Sequence, residues 1–91
     1  MATVTVKEQA HIIYNRRSWQ SSIEIDGTLV KFRYVDDWDG AEFYVVRDGS
    51  YRQLDKEDMT EAELMAYDIC SMYGIEELGS VGETFQFPDE D

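Results

Sequence analysis

SSIEIDGTLVKFRYVDDWDGAEFYVVRDGSYRQL, residues 21–54, holds the pattern that decides the fold. Three Asp-Gly pairs punctuate it, at Asp26-Gly27, Asp39-Gly40 and Asp48-Gly49. Asp-Gly between apolar runs signals a tight hairpin, because both residues tolerate the positive φ that such turns require. The runs between the turns fit strands. Ser21–Ile25 alternates, with Ile23 and Ile25 on one side. In Thr28–Val35, Val30, Phe32 and Tyr34 face one way and Lys31 and Arg33 the other. Glu42–Arg47 is rich in β-branched and aromatic residues, and Ser50–Leu54 is a short candidate edge strand. Consecutive tight turns imply an antiparallel meander.

Downstream, Asp58 or Thr60 can cap a helix, with Glu61 or Glu63 three residues on completing a capping box. Ala62, Met65, Ala66, Ile69 and Tyr73 form one apolar stripe at helical spacing, and Gly74 is a natural stop. Upstream, two readings fit. Thr5 and Glu8 make a second capping box, with Val6, Ala10, Ile13 and Tyr14 on a helical stripe. Val4, Val6, Ala10, Ile12 and Tyr14 also fit an interrupted strand. The propensity of Lys7-Glu8-Gln9-Ala10 favours the helix. The expected fold is therefore α+β: a small antiparallel sheet of three to four strands with an N-terminal and a C-terminal helix packed on it. Residues 1–91 read as one acidic domain. For its acidic tail, residues 80–91, partial disorder and an edge strand at Thr84–Phe87 are both open.

The chain has 91 residues, 43% of them apolar and 13% aromatic, enough for one modest core. It lacks a run of eighteen apolar residues and the basic and apolar regions of a signal peptide. Its one cysteine, Cys70, cannot form an internal disulfide. These features point to the cytoplasm. Charge is polarised. Residues 1–35 carry five basic and three acidic residues, whereas residues 36–91 carry three basic and seventeen acidic ones, for a net charge of −12. Such a chain repels nucleic acid and anionic membranes and attracts basic proteins.

Tests for chemistry fail one by one. An EF-hand register with Gly40 at position 6 puts Val35 at position 1 and Val46 at position 12, where oxygen ligands are needed. Asp36, Asp37, Asp39 and Glu42 sit at a solvated turn, and a chain of this length has little material for both a core and the sugar-sized cleft that paired-carboxylate catalysis needs. His11 and Cys70 are the only residues of their kinds, and no Gly-rich phosphate loop is present. The reading is a non-enzyme with no catalytic residue, metal or cofactor. A basic patch of Arg16, Arg17, Lys31 and Arg33, with Trp19, Phe32 and Tyr34 as stacking surfaces, is opposed by the acid in the same small domain. Cross-strand pairing of Lys31 and Arg33 with Glu24 or Glu42 is the simpler expectation.

The acid itself is then the candidate site. Carboxylates two apart on a strand lie roughly 6.5–7 Å apart, and those three or four apart on a helix about 5–6 Å, a spacing of the order of successive phosphates. Asp36, Asp37, Asp39 and Glu42 on one hairpin, with Asp55, Glu57, Asp58 and Glu61 at a helix start, would present a fixed anionic array. Clustered like charge destabilises a monomer, a cost that solubility alone does not require. Trp38 is either an exposed interface anchor amid these acids or a core residue, and Phe85 and Phe87 raise the same question.

In size, charge and order of elements the chain resembles small acidic inhibitors that bacteriophages encode against host defence, including anti-CRISPR and anti-restriction DNA mimics. The resemblance spans the whole chain and carries no motif. It implies stoichiometric blocking of a nuclease, restriction enzyme or CRISPR effector in the host cytoplasm. The expected partner is a basic nucleic-acid-binding host protein, met by a monomer or homodimer, without direct contact to nucleic acid or membrane. The near-neutral to basic N-terminal third departs from the simplest mimic. The alternative is an adaptor or antitoxin-like module that binds through its sheet face or its Phe85-Gln86-Phe87-Pro88 tail.

Overall fold

A computed structural model describes residues 2–13, 17–37 and 40–87. Five strands come first: β1 (Ala2–Ile12), β2 (Ser18–Ile25), β3 (Thr28–Asp37), β4 (Gly40–Arg47) and β5 (Ser50–Gln53). A 3-10 turn at Lys56–Asp58 leads into α1 (Glu61–Ile69). The helix widens into an i→i+5 turn over Cys70–Gly74 and tightens again over Ile75–Leu78. The chain then returns as β6 (Thr84–Phe87). All neighbours in the sheet are antiparallel, in the order β5-β4-β3-β2-β1-β6.

The expected architecture is corrected here. The sheet has six strands rather than three or four, the N-terminal segment is a strand, and the short helix is followed by another strand. The meander of residues 18–53 lies within this larger sheet. Asp26 and Gly27 both have positive φ, 49° and 88°, and join Ile25 to Thr28 by a two-residue turn of the primed type that matches strand twist. Asp48 and Gly49 do the same between Arg47 and Ser50. In the third hairpin Asp37 pairs with Gly40; Trp38 and Asp39 lie outside the described residues.

β1 was masked in sequence by its irregularity. Val4 and Val6 are fully buried opposite Ile25 and Ile23. The register then jumps from Val6↔Ile23 to Glu8↔Ser22, and again from Glu8↔Ser22 to His11↔Gln20. Each jump places one extra residue on β1, a bulge that breaks the period of two just where helix formers occur. The fully buried Ser21 hydroxyl donates to the Glu8 carbonyl at 2.7 Å beside the first bulge. Pairing with β2 on one side and β6 on the other overrides local helix propensity.

The core lies between one sheet face and α1. Ile23, Val30, Phe32, Phe43 and Val45 come from the sheet, and Ala66, Ile69 and Cys70 from the helix and its continuation. Phe32 stacks on Phe43 at 5.3 Å, and Tyr67 meets the Phe43 ring edge-on at 5.6 Å. Thr60 caps α1: its hydroxyl accepts from the Glu63 amide at 3.2 Å, and Glu63 Oε1 accepts from the Thr60 amide at 2.8 Å. The other sheet face is not covered by the helix. No helix among the described residues is long and apolar enough to cross a membrane.

Candidate partner-binding surface

The acidic positions are distributed by strand register. Asp36 is exposed and pairs with Ala41, on the helix side of the hairpin. Glu42 pairs with Val35 and so belongs to the opposite, uncovered face, where its Oε1 accepts from the Tyr44 hydroxyl at 2.8 Å. The two therefore do not share a face, because successive strand side chains alternate. Asp37 ends β3, and Trp38 and Asp39 are outside the described residues.

The second group is held together. Asp55, Glu57, Asp58 and Glu61 are all exposed along the short segment that joins β5 to α1. The Leu54 amide anchors its start by donating to the Phe43 carbonyl at 3.2 Å, and the amides of Asp58 and Met59 close the turn on Asp55 and Lys56. Asp55 and Lys56 share a small cleft with Ala41, the partner of Asp36. At the far end Glu61 borders a groove with Asp26. Among the described residues no ion pair reaches these four carboxylates. Lys56, the one cation of the segment, places its Nζ 5.1 Å from the Tyr67 ring centroid.

Other acids serve the fold. Glu63 is buried and paired with Arg47, which also donates from Nη2 to Oε1 at 2.6 Å. Burial alone would raise its carboxyl pKa. The Arg47 hydrogen bond, the Thr60 amide and the Arg47 charge outweigh that and hold it below the ordinary value. Glu24 pairs with Lys7 at 3.9 Å. Thr3 donates its amide to Asp26 at 2.9 Å. Sequence reasoning placed Glu63 in a cap but missed its partner, since Arg47 lies sixteen residues away on another element.

The basic patch is also resolved. Phe32 and Tyr34 are buried, so neither is a stacking platform. Burial, then the nearby Asp36 charge, pushes the Tyr34 hydroxyl up to about 12. Arg33 lies on the uncovered face, 4.0 Å over the Tyr51 ring, and donates from Nε to Gln20 at 2.9 Å. Gln20 and Ser22 in turn donate to Glu8 at 3.4 and 2.9 Å. Next to this network, Ile13, Ser18, Arg33, Val35, Glu42, Tyr44 and Tyr51 line a cleft of about 370 Å³.

The catalytic candidates are not brought together into a nucleophilic pair. Cys70 is 2% exposed, and burial pushes its thiol pKa up, which keeps it protonated. His11 is exposed on β1, with Nδ1 3.2 Å from the Gln9 carbonyl and 3.8 Å from Glu8. Native protein is expected to react with a thiol reagent at least about a hundredfold more slowly than unfolded protein, given the thiol's shielding and low thiolate fraction; rapid native labelling would contradict the burial. Among the described residues no group of three or more His, Cys, Asp or Glu is placed to hold a metal ion. Phe87 is buried against Tyr73 at 5.3 Å, and Phe85 is half-buried, so the aromatics of the expected docking tail are committed to the fold. Compared with known proteins, the chain matches no family model, no curated protein and no solved structure.

Proposed function

We propose that the protein is a non-enzymatic, cytoplasmic inhibitor whose acidic surface occupies the nucleic-acid-binding groove of a basic partner, such as a nuclease, restriction enzyme or CRISPR effector. The observation that carries this reading is the segment from Asp55 to Glu61: four exposed carboxylates, backbone-anchored, unanswered by an ion pair among the described residues. Asp36 extends the acid toward the β3–β4 hairpin. An anchored array loses little freedom on binding, and charge complementarity with counterion release speeds and strengthens association. The helix–sheet–helix order is no part of this argument; size and charge remain.

The test uses immobilised protein, host extract, salt steps and competing duplex DNA or RNA. Partner retention is expected to fall steeply with salt and to be displaced by nucleic acid. The combined variant Asp55→Asn, Glu57→Gln, Asp58→Asn, Glu61→Gln should lower affinity by about 10- to 1,000-fold, on the order of 1–4 kcal/mol. Retention indifferent to salt, competitor and variant would sink the reading.

A second reading rests on the uncovered sheet face. Arg33 stacked on Tyr51, beside Tyr44 and Val35, offers the aromatic and arginine anchors of an adaptor or antitoxin-like interface. Under it, Tyr51→Ala abolishes partner capture while the four-carboxylate variant leaves it intact.

A further inference from the structure

The edge strand β6 combines outward-turned backbone groups with a partly apolar groove beside them. The register pairs Thr84, Phe85, Gln86 and Phe87 with Thr5, Val4, Thr3 and Ala2. The Thr3 carbonyl accepts from the Asp26 amide at 3.0 Å, so it points to the β2 side and away from β6. Thr3 and Gln86 are thus a pair without mutual ladder bonds. By antiparallel alternation, the amide and carbonyl groups of Gln86 and Thr84 face outward. No strand lies beyond them among the described residues. Alongside, Met72, Tyr73, Leu78 and Phe85, together with Glu83, Thr84 and Gln86, line a groove of about 620 Å³. Met72 is 68% exposed. At the opposite edge, β5 carries no large exposed hydrophobic residue.

We infer that β6 is a strand-addition site that takes an extended segment of another protein, with apolar side chains alternating into the Met72–Leu78 groove and lysine or arginine at its ends. Backbone pairing supplies affinity in such sites, and the pocket for alternate side chains supplies selectivity. Charge selects this occupant over a second copy. The chain's net charge is −12, and Glu83 precedes the strand and lines the groove. A two-fold antiparallel β6 pair would bring together two chains of this charge, each with a Glu83 at the shared edge, which like-charge repulsion opposes. The same charges favour a basic-flanked segment. This site is separate from the Asp55–Glu61 segment and does not depend on it.

The probe is a display library of random linear peptides panned against the full chain. Enriched peptides should alternate apolar and polar residues and carry basic ends. Gln86→Pro removes an outward amide at an edge position where proline is tolerated and should weaken a selected peptide at least about tenfold, whereas Gln86→Ala, which loses the same side-chain bond to Thr3 but keeps the amide, should not. Met72→Asp should weaken it likewise through the groove. Should Gln86→Pro fail to fold, N-methylation of the selected peptide on the wild-type protein gives the answer: methyls at one alternate set of residues abolish binding, and at the other set are tolerated. No enrichment, undiminished binding by Gln86→Pro and Met72→Asp, or indifference to both methylation patterns would overturn the inference. So would sedimentation showing a dimer that Gln86→Pro dissolves, since a second copy would then be the occupant.

Discussion

Phe32→Ala is expected to lower the free energy of unfolding by about 3–5 kcal/mol, the range for deleting a buried aromatic side chain. Phe32 is fully buried in β3, with Ser21 and Val45 as its cross-strand neighbours and the Phe43 ring stacked at 5.3 Å. Small domains have about 5–15 kcal/mol in total, so the variant would sit near the folding threshold. For a domain of this length the shift corresponds to roughly 15 °C or more in Tm. Urea unfolding checks it: the midpoint should fall while the slope stays constant. Phe32→Leu should lose less than half as much, because most of the apolar volume remains. A loss under about 1 kcal/mol for the alanine variant would place Phe32 outside the core.

The second large effect is expected at Glu63, where one carboxylate serves three donors. It accepts from the Thr60 amide and from Arg47, whose guanidinium pairs with both of its oxygens. Glu63→Ala removes half of the capping box and a charge-assisted hydrogen bond, together about 2–4 kcal/mol. Glu63→Gln keeps an acceptor for Thr60 and should cost about half as much. Acid separates the charge contribution from the rest. The folded carboxyl titrates below its ordinary value of 4.5. Its contribution is therefore complete above the unfolded value and disappears as pH falls through the folded one. The stability gap between wild type and Glu63→Gln should narrow as pH drops below about 4.5 and stay constant above about 6. Denaturant midpoints across that range provide the measurement; a gap independent of pH would remove the charge from the account.

Both predictions concern elements whose local structure was legible. Ile23 and Phe32 announce their face by alternation, and Asp26-Gly27 and Asp48-Gly49 announce the turns that keep the strands in register. Thr60 and Glu63 announce a helix start by their spacing alone. Each signal is carried by residues within a few positions of one another. The strands formed by the two ends of the chain are different. β1 reads as a helix because Lys7-Glu8-Gln9-Ala10 has helix propensity and because its two bulges destroy the alternation after Val6. β6 is four residues of weak signal, and its partners on β1 lie 79 to 85 residues away in sequence.

The candidate site divides the same way. That the acid is concentrated after residue 35 is plain from the residues themselves. Which carboxylates share a surface is not, because one step of strand register moves a side chain to the other face. Register thus separates Asp36 from Glu42, while the turn at Lys56–Asp58 gathers Asp55, Glu57 and Asp58 with Glu61 on one anchored segment. Arg47 finds Glu63, and Met72 finds the β6 edge, only when α1 crosses the sheet.

By itself, then, the amino-acid order determined the turns at Asp26-Gly27 and Asp48-Gly49, the helix cap and the excess of negative charge, all properties written in neighbouring residues. The tertiary structure alone decided that both ends of the chain form strands, that Arg47 pairs with Glu63, and how the acids are grouped. Those outcomes depend on hydrogen bonds and burial between distant segments, whose combined free energy exceeds the few tenths of a kcal/mol by which helix and strand propensities of single residues typically differ.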